Sequence, residues 1–183
     1  MTAAQTAVST WTIDPVHSSV GFTVRHLALT TFKGRFHNVT GVVEIDEANP
    51  RRSSVNAAVE IASIDIRGER LAGHVNSEQF FDAANHPQMT FRSTGVAPID
   101  DRHWQIAGDL TIRGTARPVV LETEYLGQAK HPFSGKTVAG FRAETSINRV
   151  DFGLAWNAPM DTGAQYVGEE VRISLEIEAV RQD

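Results

Sequence analysis

From Trp104 to Ile112 every second position is apolar or glycine (Trp104, Ile106, Gly108, Leu110, Ile112), and the residues between include Gln105, Asp109 and Thr111. A period of two gathers one set of side chains on one face of a strand; in a helix the same set would wind round every side. The rhythm recurs along most of the chain. It appears at Val20, Phe22 and Val24, at Phe32, Gly34 and Phe36, and from Val39 through Ile45. It returns from Val55 to Ile61, from Met89 toward Val96, from Val119 to Gly127, from Ala139 to Ile147 and from Val171 to Ala179. Asp14–Pro15, Asn49–Pro50, Pro98–Arg102, Gly114–Arg117 and Lys130–Lys136 punctuate it as turns. The apolar set passes from even to odd positions near His37 and Asn38. A slip of one residue would send every later side chain to the wrong face, so a β-bulge is predicted there.

Roughly eight strands without an internal repeat or linker imply an all-β chain, an eight-stranded antiparallel barrel. A flexible N-terminus is expected over residues 1–10 and a single barrel domain over 11–181. The rhythm stops between Ile64 and Phe91. There Leu71 and Val75 stand four apart, which predicts a short helix over Glu69–Val75, followed by a turn region with Phe80, Phe81, Asn85 and Pro87. One helix among strands either caps an end of a barrel or packs on the surface of a sandwich.

Among the inward positions Gly108, Ala57, Ala143 and Ala179 are small. They leave room beside Phe22, Val24, Phe36, Met89, Phe91, Trp104 and Phe141, room that an apolar ligand or the aromatic rings themselves would fill. The second long irregular segment, Asn148–Gly163, carries Phe152, Trp156 and Met160. With Phe80 and Phe81 it is a natural cover for a pocket mouth. One of the two adjacent phenylalanines is expected to face the pocket and the other to pack on the helix.

The 22 acidic and 17 basic residues give a formal net charge of -5, with no basic run longer than Arg51–Arg52, which argues against nucleic acid as a partner. Cysteine is absent, which excludes disulfides, thiolate metal sites and a cysteine nucleophile. The first ten residues carry neither a positive n-region nor an apolar h-region, so a cytoplasmic location is expected, and no apolar run reaches membrane-spanning length. The seven histidines lack the paired spacing of a helical metal site. His26, at the mouth of a strand, is the histidine best placed to meet a ligand, and an enzyme using rim histidines, metal-dependent or hydrolytic, is the competing reading. His17 and Ser18 are adjacent in extended chain and point apart, and neither a nucleophile elbow nor a phosphate-binding glycine loop is present. Arg149 and Asp151 are spaced to pair on one side of an extended segment.

In order along the chain, Trp11–Pro15, His17–Ser18, Phe22–His26, His74 with Ser77, Phe80–Phe81, Pro87 with Thr90–Phe91, Gly108–Gly114, Pro118–Val119, Ala139–Phe141, Arg149 with Asp151–Gly153, and Val167–Gly168 with Val171 resemble the YceI-like proteins, lipocalin-like bacterial barrels. The resemblance spans Trp11 to Val180. It implies an extended eight-stranded barrel with a helix near one end, enclosing an apolar tunnel. It also implies non-enzymatic binding, transport or sequestration of a long isoprenoid lipid, a polyprenyl phosphate or quinone, with no cofactor and no metal; a homodimer is compatible with this. Where the family usually has an Arg-Asp pair shortly before the histidine, this chain has Leu71 and Ala72.

Overall fold

The computed structural model describes residues 8–182, and it is a closed antiparallel barrel. Its strands are β1 (Ser9–Ile13), β2 (Ser19–His26), β3 (Thr30–Phe36), β4 (Val39–Ile45), β5 (Ser54–Glu60), β6 (Ile64–Asp65), β7 (Gln88–Pro98), β8 (His103–Ile112), β9 (Thr115–Lys130), β10 (Thr137–Asn148) and β11 (Val167–Arg181), and α1 is Glu69–Asn76. Eight of them form the ring β1-β4-β5-β7-β8-β9-β10-β11, which shuts where β1 pairs with β11 through Ile13 and Ala179. At one end β2, β3 and β6 lengthen the wall: β2 pairs with the first half of β11, β3 with β2, and β6 with β3. The breaks between β1 and β2, β3 and β4, and β5 and β6 are thus bends in three long strands, and the barrel has the eight strands expected.

The bend at His37–Asn38 lies where the parity changes. Phe36 and Val39, three apart, are both buried, so two residues are taken out of the ladder between them. The backbone N–H of His37 donates to the Ser63 carbonyl and that of Asn38 to Ser63 Oγ, which anchors the bend.

Two boundaries differ from expectation. β1 begins at Ser9, so Ser9 and Thr10 belong to the barrel; residues 1–7 lie outside the described residues. β9 begins at Thr115, because Arg113 and Gly114 alone make the turn, both with positive φ. Pro118 is accommodated inside β9 because β10 joins it only from Glu122 onward, leaving one edge of β9 without a ladder partner at the proline.

The core divides by height. Near the free ends of β9 and β11, Trp11, Ala139 and Ala179 are buried under Tyr125 and Phe141. The Trp11 indole N–H donates to Ser9 Oγ at 2.9 Å. The larger cluster, which includes Ile13, Val20, Phe36, Ile61, Phe81 and Phe152, occupies the rest and reaches the α1 end. No described helix is long and apolar enough to cross a membrane.

Candidate functional site

α1 sets Leu71, His74 and Val75 on one face, as spacings of three and four require, and this face closes one end of the barrel. The chain after it folds back on the helix end. The Ser77 hydroxyl donates to the His74 carbonyl, the Phe81 N–H to that of Val75, and the Ala83 N–H to that of Asn76. Arg113, from the β8–β9 turn, fixes the same segment by donating to the carbonyls of Glu78, Phe80 and Gly153 at 2.8, 3.0 and 3.3 Å. Beneath this lid is an open-mouthed cavity of about 880 Å³, lined by side chains of β2, β3, β7, β8, β10, β11, α1 and the segment following β10.

Phe22, Val24, His26, Phe36, Phe80, Phe81, Met89 and Trp156 all line this cavity. The two phenylalanines do not diverge, because they sit in a turn rather than a strand. Their rings meet edge to face at 5.5 Å; Phe81 is buried against Phe36, while half-buried Phe80 lies near His74.

The other four candidates lie elsewhere. Trp104 and Phe141 precede Ile112 and Ile147, the cavity residues of their strands, by eight and six positions, or roughly 26 and 20 Å at about 3.3 Å per residue. Phe91 lays its ring across Gly108 of the neighbouring strand. Phe152 is 2% exposed and packs in the core, with no face on the cavity. The room expected beside Gly108 and Ala179 is therefore taken up by Phe91 and by the Trp11 cluster, and the open space lies under α1.

Arg149 is the cavity residue whose role the sequence misassigned. It makes no ion pair with exposed Asp151. Its side chain is buried and donates to four carbonyls: Gly168 at 2.8 Å, Val167 at 2.9 Å, Trp156 at 3.0 Å, and Leu154. Its guanidinium stands 5.8 Å from the Phe80 ring centre. Burial holds it below the ordinary arginine value, opposed by the Glu169 carboxylate. Arg149 thus ties the start of β11 to the segment carrying Leu154 and Trp156. His74 touches Trp156 edge-on at 4.4 Å, and its Nε2 is buried without a hydrogen-bond partner. Phe32 and Tyr166 complete the aromatic wall; Tyr166 meets His26 at 4.8 Å. Alternation marked Phe32, Val171 and Ile173 as inward, whereas nothing in the local pattern marked Tyr166.

The lining contains no Asp, Glu, Ser or Cys. It thus offers no carboxylate dyad and no serine or cysteine nucleophile. Among the described residues the group with metal-like convergence is Asp14, His17 and Glu178, whose ligand atoms lie within 4.8 Å of one another. It stands apart from the cavity lining. A direct hydrogen bond between His17 Nδ1 and Asp14 Oδ2 at 2.9 Å accounts for its compactness, lowering the Asp14 pKa and raising that of His17.

The family model for the YceI-like domain matches residues 11–179. Protein YceI of Escherichia coli O157:H7 is 36% identical over 166 residues, which cover 91% of this chain and 83% of that protein. The crystal structure of Burkholderia cenocepacia BcnA superposes with a TM-score of 0.78 at 24% identity, over 91% of this chain and 98% of that one. A polyisoprenoid binding domain from Saccharophagus degradans shares the fold with a TM-score of 0.66 at 13% identity, over 94% of this chain and 98% of that one.

Proposed function

The chain belongs to the YceI-like family, and from that premise we propose that it binds a long isoprenoid-type lipid in the cavity beneath α1, as a carrier or sequestering protein without catalytic chemistry. The observation that carries this reading is the cavity: about 880 Å³, toward the upper end of the usual range for small-molecule sites, and walled mainly by Phe, Val, Ile, Leu and Trp. Burial of hydrocarbon against such a wall contributes about 25 cal/mol per Å², enough for tight binding with few polar contacts. The domain of the same fold described as polyisoprenoid binding supports the choice of ligand class. The exposed cations of the lining, Arg25 and Arg70, make no ion pair among the described residues and suit an oxygen-bearing end group such as a phosphate or a quinone carbonyl.

Native mass spectrometry of the gently purified protein tests the reading. A retained organic ligand of isoprenoid mass, released when the protein is unfolded, is the expected result. Stoichiometric metal with no organic ligand, or an empty protein that takes up neither polyprenyl phosphate nor quinone when offered, overturns it.

A further inference from the structure

The mouth of the cavity is bordered by the β2–β3 hairpin and by α1. Three features of that border are unexplained by cavity lining alone. The first is the hairpin tip. The turn closed by the Leu29 N–H on the His26 carbonyl holds Leu27 and Ala28 both at positive φ, 55° and 59°. Such positions cost least with Asn and Gly, and strain of this kind is kept where something else requires the residue. The second is exposure. Leu29 at the tip is 76% exposed, and Leu71, across the mouth on α1, is 39% exposed. A solvated turn has no use for three consecutive apolar residues.

The third feature is charge. Residues 16–43 contain Arg25, Lys33 and Arg35 and no carboxylate, although the whole chain carries a formal net charge of -5. By strand parity Lys33 and Arg35 share the hairpin face turned away from the cavity, Arg25 stands near the tip on the cavity rim, and Arg67 and Arg70 add two more cations just before and within α1, Arg70 also on the cavity lining. None of the five makes an ion pair among the described residues. The carboxylates beside these segments include Asp65, which stands opposite Arg35 and faces His37 at 3.2 Å, Glu69 beside Arg70, Glu169, which is bonded by Asn148 and Gln165, and Glu170, which pairs with Arg172 at 3.2 Å.

We propose that this rim docks on an anionic phospholipid bilayer, with Leu29 and its turn entering the interface and Arg25, Lys33, Arg35, Arg67 and Arg70 meeting the head groups, so that the cavity mouth faces the membrane. This rests on the cavity being a lipid site, since a carrier with its mouth against the bilayer exchanges an apolar chain without exposing it to water. The acidic remainder of the chain is repelled by the same surface, which orients the basic rim toward it. The occupant follows from chemistry: an apolar tip with unpaired cations along its hairpin and on α1 matches an interface of hydrocarbon beneath anionic head groups.

Flotation with vesicles of phosphatidylcholine alone, and of equimolar phosphatidylcholine and phosphatidylglycerol, tests the proposal on the full chain. Binding is expected to the mixed vesicles and to be weak on phosphatidylcholine. K33Q/R35Q should weaken it about 25-fold, or about fivefold per cation at roughly 1 kcal/mol each. Leu29→Ser should weaken it about tenfold or more, from the loss of one buried leucine. All three side chains are exposed and outside the cavity lining, so melting temperature and ligand retention in native mass spectrometry should be unchanged. Should the double variant fail to fold, raising the salt with the unaltered protein makes the same test, since binding must fall with ionic strength. Equal binding to both vesicle types, insensitivity to K33Q/R35Q or salt, or no flotation at all overturns the docking proposal. Ligand retention then still reports separately on the cavity, and loss of retention with docking intact would fault the cavity reading instead.

Discussion

Arg149→Ala probes what holds the cavity wall together. In the native barrel one buried guanidinium serves the carbonyls of Leu154, Trp156, Val167 and Gly168. Its removal leaves the carbonyls of Leu154, Trp156 and Gly168 without this donor, at about 1–3 kcal/mol for each that stays dry, while that of Val167 keeps the Asn157 amide at 3.0 Å. Some will be reached by water through the adjoining cavity, which brings the loss to about 3–5 kcal/mol. For a chain of this size, at about 2–4 °C per kcal/mol, the melting temperature should fall by roughly 6–20 °C. Arg149→Lys keeps the charge but gathers its donors at one point, so it cannot span four carbonyls and should recover less than half of the loss. Thermal melts followed by near-ultraviolet circular dichroism and by calorimetry measure both variants. A melting temperature for Arg149→Ala within about 2 °C of the unaltered protein, no more than the loss of a single such bond implies, would refute the argument that this side chain is the tie.

Three further outcomes are expected. Phe81→Ala should cost about 3–5 kcal/mol in a urea melt, because Phe81 is in the core, whereas Phe80→Ala should cost less and act chiefly on bound lipid; equal losses would contradict the difference in burial. Gly34→Ala places a methyl against Phe22 Cζ and Ile66 Cγ2, forcing the Phe22 ring toward the cavity, so it should cost about 1–3 kcal/mol and reduce ligand uptake in native mass spectrometry. The His17–Asp14 pair predicts a pH dependence with two edges. The raised His17 pKa gives stability that is full below ~6.5 and lost as pH rises through the raised value; the lowered Asp14 pKa gives stability that is full above ~3.9 and lost as pH falls through the lowered value. Melting temperatures of His17→Ala should therefore fall below those of the unaltered protein between those two values and converge with them on either side.

The strands were legible because parity is a local property. A period of two tells which side chains share a face, and the buried pair Phe36 and Val39 shows that even the change of phase could be located. α1 was legible for the same reason, since Leu71 and Val75 share one helical face and both line the cavity. The short turn at Arg113–Gly114 was hidden because a left-handed arginine gives no signal of the Asn-Gly kind, and Pro118 drew the start of β9 too late.

Parity fixes a face but not a height along the barrel, and height decides which inward residues meet the cavity. Phe22, Phe36 and Met89 lie within the end that β2, β3 and α1 enclose, whereas Trp104 and Phe141, inward by the same alternation, belong to the other end. Nor does alternation show where a ring goes after it leaves its strand: Phe91 covers Gly108 on the next strand, so the small residue that suggested space is the reason there is none. Arg149 was misjudged because a two-residue spacing was read as an ion pair. Its segment is in fact a 3-10 turn (Arg149–Phe152), which turns Asp151 to solvent and Arg149 inward. A buried cation satisfied by carbonyls of later residues is a tertiary fact. Its acceptors become visible only when β11 returns alongside β2, some twenty residues further along the chain.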